Sequence, residues 1–267
     1  MKHTLHLYFR LVGAQIRSTM QYRFSFIADM LGNLIITGLD FAMVAILLTR
    51  FQAIGGWTLP EVAFLYGVSS ISLGLAELLV GAFDNFDKLV VRGEFDRVLL
   101  RPLGVTFQML SGALALRRLG RIVQGGVALG YALLNLRLAW DTWHWLFAGV
   151  MAAGGALFFM AIFILGATTA FWTPQTAELT NIFTYGGQFM TSYPMHIYER
   201  WLRAVFTFII PAAFVNYYPA LYLFGKPDPF GLPAFMPFLA PFTAAALFAV
   251  ALALWRVGVR HYQSTGS

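Results

Sequence analysis

Five long, nearly unbroken apolar stretches divide the chain, and each is long enough for a helix that crosses a membrane. The strands of a membrane barrel would instead alternate polar and apolar residues at every second position. The pattern therefore predicts an all-α integral membrane protein. We place these five spans at residues 26–49, 61–83, 122–140, 145–171 and 238–255.

Between residues 172 and 237 the pattern offers two further stretches of spanning length, 173–193 and 203–223. The first carries a stripe of polar residues at spacings of three and four, which places them on one face of a helix. This stripe comprises Gln175, Glu178, Asn181, Tyr185, Gln188 and Ser192. A polar stripe at membrane depth is expected to line a cavity.

The second stretch is interrupted by Pro211 and Pro219. Irregular backbone at membrane depth is tolerated only where protein or a wet cavity surrounds it. We therefore predict six transmembrane helices, with 173–193 as the fifth and residues 194–224 as a re-entrant helical pair. The alternative, in which 203–223 crosses and the striped stretch does not, stays open.

The composition agrees with a membrane protein. Hydrophobic residues make up 59% of the 267, and charged residues make up 11%, against about 25% in an average soluble protein. So few charges cannot cover a water-soluble surface. The chain has no Cys, which excludes disulfides, thiolate metal sites and cysteine nucleophiles.

The basic residues indicate how the spans are oriented. A net charge of +6 would suggest nucleic acid in a soluble protein, but in a membrane protein Lys and Arg mark the cytoplasmic loops. Thirteen of the 18 lie before the first span, between the second and third, or after the last. We therefore predict that both termini and residues 84–121 are cytoplasmic, and we expect no nucleic-acid partner.

The residues before the first span are amphipathic. Apolar side chains from Leu5 to Met20 share one helical face, while His6, Arg10 and Arg17 share the other. This pattern predicts that residues 1–24 form a helix lying flat in the cytoplasmic interface. An ordinary cation-rich flank is the alternative.

Residues 84–104, which we call the charged segment, are the most charged stretch of the chain. Gly93 divides the segment into two amphipathic pieces and Pro102 ends the second, which predicts two short helices joined at a bend. So many apolar residues in a loop have to be buried against something. We therefore expect a docking surface for a protein partner, although a loop that only anchors two spans is the alternative.

Common catalytic motifs are missing from the sequence. It contains no Walker A loop, no HExxH helix and no Gly-x-Ser-x-Gly elbow, and its five His are scattered. We therefore expect neither a catalytic site nor a metal site in this chain.

Four acidic residues fall at predicted membrane depth: Asp29, Asp40, Glu77 and Glu178. Such groups are unfavourable in hydrocarbon and mark either a transport pathway or a structural pairing. We expect Asp29 and Glu77 to lie near the cytoplasmic boundary, where water reaches them. Asp40 is nearest the middle of the membrane, where a pathway role and a protonated or internally hydrogen-bonded carboxyl are both open.

This arrangement resembles the membrane subunits of bacterial type-2 ABC exporters over nearly the whole chain. The most specific parts are RGEFDRVLLRPL at residues 92–103 and the pairing of MTSYPMHIY at 190–198 with IIPAAFVNYYPALY at 209–222. The first is similar to a Gly-Glu-Leu-Asp-x-x-Leu-Leu-Arg-Pro pattern of one bacterial branch, with Phe95 where that branch has Leu.

The resemblance implies a permease in the bacterial inner membrane. Its partners would be a second, identical or paralogous permease and separate ATPase subunits that bind ATP and Mg. The residues expected to contact the ATPase are Arg92, Glu94, Phe95, Asp96 and Arg97. Those expected along the pathway are Asp40, Gln175, Glu178, Asn181 and Gln188. One alternative is an ion-coupled carrier or channel that depends on Asp40 or Glu178, and another is a membrane enzyme or assembly factor.

Overall fold

The computed structural model describes residues 56–112, 115–136, 138–173, 181–228 and 231–263, together with scattered positions between 10 and 46. The described residues form helices and no strand, which confirms the all-α prediction. Most of the expected interfacial helix at 1–24 and about half of the first span at 26–49 lie outside the described residues, and the positions described there are helical.

The α-helices of the described ranges follow one another along the chain. They are α1 (Leu59–Val80), α2 (Phe86–Val91), α3 (Phe95–Leu99), α4 (Val105–Gly112), α5 (Leu119–Asn135), α6 (Thr142–Thr169), α7 (Gly187–Ser192), α8 (Arg200–Ala204), α9 (Tyr217–Leu223) and α10 (Ala240–His261). A π-helical turn, Ile182–Gly186, runs directly into α7. We call this turn and α7 together the polar-striped helix.

Within the described residues, three helical stretches are long and apolar enough to cross a membrane. They are Leu59–Val91, Thr142–Thr169 and Met236–His261. The second, fourth and last predicted spans each overlap one of them. The third predicted span corresponds to α5, whose 17 residues extend about 25 Å and fall just short of the usual spanning length.

The predicted limits between α5 and α6 need correction. α5 ends at Asn135 and not at Trp140, and the indole N–H of Trp140 donates to the carbonyl of Leu223 at 3.1 Å. The residues around 141–144, predicted as a turn, begin α6, because the Asp141 carboxylate accepts the backbone N–H of His144 at 3.0 Å. Apolar residues beyond a helix end are buried by other elements, so hydropathy alone misplaces the boundary.

Glycines bring α1 close to its two long neighbours. A Cβ atom on Gly67 of α1 would lie 2.8 Å from the backbone N of Leu129 and 2.9 Å from the carbonyl O of Gly125, both on α5. A Cβ on Gly155 of α6 would lie 2.5 Å from the hydroxyl oxygen of Ser72 on α1. Small residues at such contacts are typical of helix packing in membranes. Helices α1, α5 and α6 therefore pack as one tight unit.

The break predicted at Pro211 is present. Two helical pieces, Arg200–Ile209 and Ala212–Leu223, meet at an angle of 78° across it. The fully buried Asn216 fastens the second piece, because its side-chain amide donates to the carbonyl oxygens of Leu65 (2.8 Å) and Thr191 (3.0 Å). The bent pair is therefore tied to α1 and to the polar-striped helix.

Candidate functional site

The charged segment folds as two short helices joined at a bend, as the sequence predicts. Helix α1 continues through a 3₁₀ turn, Gly81–Asn85, into α2, and α3 follows after Gly93. Gly93 has a φ of 66°, a left-handed conformation that residues with a Cβ seldom adopt. This glycine therefore sets the angle between α2 and α3.

An aromatic cluster holds the segment against the rest of the protein. It comprises Phe83, Phe86, Phe95, Phe171, Trp255 and Tyr262. Phe95 has no exposed surface, and its ring packs edge-on against Phe86, Phe171 and Tyr262 at centroid distances of 5.1, 5.7 and 4.8 Å. Residues of its own chain therefore already bury the Phe95 ring, and contact between Phe95 and an ATPase stays a prediction.

The outer side of the charged segment is exposed. Arg92, Glu94 and Arg97 are exposed. Three apolar side chains of the same segment are exposed as well, Val91 at 55%, Leu99 at 42% and Leu100 at 85%. Exposed apolar groups surrounded by charges are a common feature of protein-binding surfaces. Contact between these charged residues and an ATPase stays a prediction.

Asp96 faces inward at the edge of the same segment. It is half-buried and lies beside the hydroxyl group of Tyr262, just after the end of α10. Burial, and after it the neighbouring Asp96 carboxylate, raises the pKa of the Tyr262 hydroxyl. Asp96 is therefore placed to hold Tyr262 just beyond α10, and contact between Asp96 and an ATPase stays a prediction.

A buried polar cluster lies where α1 ends and α5 begins, and it comprises Glu77, Arg118, Arg121, Tyr185 and Gln188. Glu77 is 2% exposed. Its Oε1 pairs with Nη1 of Arg118 at 3.1 Å and its Oε2 with Nε of Arg121 at 3.2 Å. Breaking such a buried pair by removing one partner is strongly destabilising.

Two residues of the polar-striped helix complete this cluster. The Tyr185 hydroxyl donates to Oε1 of Glu77 at 3.1 Å and accepts from Nη2 of Arg118 at 3.3 Å. Nη1 of Arg121 donates to Oε1 of Gln188 at 2.6 Å. Arg118 also pairs with Asp84 at 3.7 Å, so two carboxylates balance the two guanidinium groups.

Polar contacts continue along α1 away from the cluster. The amide of Gln188 donates to Oγ of Ser70 at 3.4 Å, and the hydroxyl groups of Ser69 and Thr191 share a buried hydrogen bond of 2.5 Å. The polar-striped helix is thus joined to α1 by hydrogen bonds at successive turns. We call this contact the polar seam.

The predicted pathway residues have different environments. Asp40, Gln175 and Glu178 lie outside the described residues, and so does Asp29, which was expected near the cytoplasmic boundary. Asn181 is exposed immediately before the polar-striped helix. Gln188 is partly buried and has Arg121 and Ser70 as partners within its own chain. Its role in a pathway stays a prediction.

The expected access of water to Glu77 is wrong. The carboxylate is enclosed by Arg118, Arg121 and Tyr185, so protein groups replace water. Sequence reasoning counted the two arginines as markers of orientation and did not pair them with Glu77. Their spacing of three residues, which puts both on one helical face, was the available signal.

The Glu77 cluster joins separate parts of the chain. Within the described residues, no group of three or more His, Asp or Glu lies close enough to hold a metal ion. The carboxylate of Glu77 is shared between elements that come from three separate parts of the chain. A shared buried carboxylate can fix the relative positions of those elements.

Comparison with known proteins identifies a family. A model of ABC-2 family transporter proteins matches residues 34–266 of the chain. No curated protein and no solved structure gives a significant match.

Proposed function

The chain belongs to the ABC-2 family of transporter proteins, and from this premise we propose that it is the permease subunit of an ATP-driven exporter. In this proposal, separate ATPase subunits bind ATP and Mg, and a second, identical or paralogous permease completes the pathway. The complex lies in the cytoplasmic membrane of a bacterium. Residues 1–267 form one domain of six spans with both termini cytoplasmic, and residues 194–224 form a re-entrant region.

The outer side of the charged segment is the observation that carries this proposal. The exposed Arg92, Glu94 and Arg97 belong to the same segment as Leu100, whose side chain is 85% exposed. The inner side is held by the aromatic cluster, so the segment is a supported surface and not a loose loop. We propose that this surface, with Arg92, Glu94, Phe95, Asp96 and Arg97, receives the ATPase and that the exposed Leu100 anchors the contact.

The pathway is proposed to run beside the polar stripe. Asp40, Gln175, Glu178, Asn181 and Gln188 are its candidate lining residues. An unpartnered amide or carboxylate facing hydrocarbon is unfavourable by several kcal/mol, whereas a wet cavity between two permeases can hydrate it. The exposure of Asn181, a member of the stripe, supports this placement.

The test is copurification of the ATPase with variants at two equally exposed leucines. Leu100→Ser removes an apolar side chain from the charged segment, and we expect about 10-fold weaker ATPase association, as for an interface anchor. The control is Leu134→Ser, whose side chain is 88% exposed near the opposite end of α5. The control should retain the wild-type stoichiometry of ATPase to permease.

Equal retention of the ATPase by both variants would remove the assigned docking surface. Transport driven by an ion gradient alone, in vesicles that lack the ATPase, would overturn the exporter proposal. That result would favour an ion-coupled carrier or channel in its place.

A further inference from the structure

We propose that Glu77 is the positioning residue through which movement of the charged segment reaches the polar-striped helix. This inference rests on the proposed function, because the movement it describes begins when an ATPase acts on the charged segment. It assigns to a buried carboxylate a role in coupling that its position at membrane depth alone does not reveal.

The connection from the charged segment to Glu77 is continuous. Glu77 lies in the last turn of α1, which runs without a gap through the turn Gly81–Asn85 into α2. Asp84 in that turn also pairs with Arg118. A tilt of α2 therefore moves both carboxylates that hold the arginines at the start of α5.

The connection from Glu77 to the polar-striped helix is made by two residues. The hydroxyl of Tyr185 donates directly to Oε1 of Glu77, and Arg121 joins Oε2 of Glu77 to Gln188. The guanidinium carbon of Arg121 also lies 5.6 Å from the centre of the Tyr185 ring. Both oxygens of Glu77 thus lead to the same helix.

Because this connection is buried, a movement at one end has to move the residues at the other end. At 2% exposure, Glu77 has no bulk water to replace a lost partner, and an uncompensated buried charge is strongly unfavourable. The cluster must therefore move together or exchange whole partners. Helices α1 and α5 are held backbone to backbone at Gly67 and Gly125, so the polar-striped helix is the element that shifts relative to them.

The test uses the absence of Cys from this chain. Spin labels are attached at Phe189→Cys on α7 and Val127→Cys on α5, both exposed positions. The distance between the labels is measured in the membrane-reconstituted complex with its ATPase, without nucleotide and with Mg-ATP and vanadate. We expect the wild-type background to show a nucleotide-dependent change in this distance.

Tyr185→Phe is the deciding variant, because it removes the hydroxyl that joins Glu77 to the polar-striped helix and leaves both arginine pairs in place. We expect the nucleotide-dependent shift to be reduced or lost, while ATP hydrolysis continues. Tyr131→Phe is the matched control, since it makes the same change on a partly exposed tyrosine of α5, and it should keep the full shift. Glu77→Gln should give a larger loss where the protein folds.

The outcomes separate this inference from the proposed function. An undiminished shift in Tyr185→Phe overturns the positioning role, and so does a complex that hydrolyses ATP but shows no shift in the wild-type background. Either result leaves the exporter assignment standing. A purified permease that associates with no ATPase overturns the proposed function and this inference with it. If Glu77→Gln fails to fold, the comparison of Tyr185→Phe with Tyr131→Phe decides.

Discussion

Helix α1 has two faces that meet their neighbours by different means. Towards α5 the contact around Gly67 is made by backbone and glycine, and a Cβ added to Gly125 would lie 3.0 Å from the carbonyl O of Gly67. One side-chain hydrogen bond lies beside it, from the amide of Gln124 to the hydroxyl of Tyr66, and the ion pairs of Glu77 lie at its end. Towards the polar-striped helix the contact is made by hydroxyl, amide and carboxylate groups, among them Ser69, Ser70 and Glu77. Helix α1 therefore takes part in two interfaces. One is the closely packed contact with α5, which we call the dry interface, and the other is the polar seam with the polar-striped helix.

The difference shows which interface can open. Lipid is as apolar as the side chains at the dry interface, so moving these side chains out of lipid gives little driving force for association. The helices are therefore held together by close packing. Their attraction is lost as soon as the surfaces separate. Polar groups can exchange a protein partner for water or for another polar ligand. We infer that α1 and α5 move as one body and that the polar seam is where the permease rearranges.

The largest expected effect is at the charged end of the polar seam. Glu77→Leu leaves Arg118 and Arg121 with one carboxylate, that of Asp84, in contact. We expect the free energy of unfolding to fall by about 3–5 kcal/mol, the usual penalty for breaking a buried pair. The measurement is denaturant unfolding of the purified permease in detergent micelles.

A double variant sharpens this prediction. Glu77→Leu with Arg121→Leu restores the charge balance, because Arg118 keeps Asp84 as its partner. Replacing a buried ion pair by apolar residues is often nearly neutral for stability. The double variant should therefore be more stable than Glu77→Leu alone. Equal instability would show that charge pairing is not what makes Glu77 necessary.

The next largest effect is at the dry interface. Gly125→Val introduces side-chain atoms where the backbone of α1 leaves no room, and overpacking of this kind typically destabilises by about 1–3 kcal/mol. The control is Gly126→Val, one residue along the same helix, where an added Cβ meets nothing within 4 Å. A thermal midpoint that falls equally in both variants would contradict the close approach of α1 and α5.

The sequence predicts the features that depend on local signals. Apolar length predicts the spans, Gly93 predicts the bend of the charged segment, and Pro211 predicts the break of the bent pair. Each of these signals acts on the backbone of its own or neighbouring residues, so tertiary contacts are not needed to read it. The arrangement of six spans and the pathway residues stay predictions.

Features that depend on distant parts of the chain could not be read in this way. Glu77 is paired with Arg118 and Arg121, but the count of basic residues in each loop used these two arginines only to orient the spans. Phe95 looks like an exposed anchor in an amphipathic segment, and only the packing of Phe171 and Tyr262 shows that its ring is already buried. Which face of a short amphipathic helix is covered depends on tertiary packing.

The smallest expected effect is at the uncharged end of the polar seam, where Ser69 and Thr191 share their hydrogen bond. Hydrogen bonds between membrane helices contribute about 0.6 kcal/mol on average, because the separated helices also find partners. We therefore expect a double-mutant cycle of Ser69→Ala and Thr191→Val to give a coupling energy below about 1 kcal/mol. A coupling several times larger would mean that the seam is held as firmly as the glycine contact. The contrast between a fixed dry interface and an opening polar one would then fail. A weak coupling between Ser69 and Thr191, together with a large loss of stability in Glu77→Leu, would show that the polar seam is held mainly at its end nearest the charged segment.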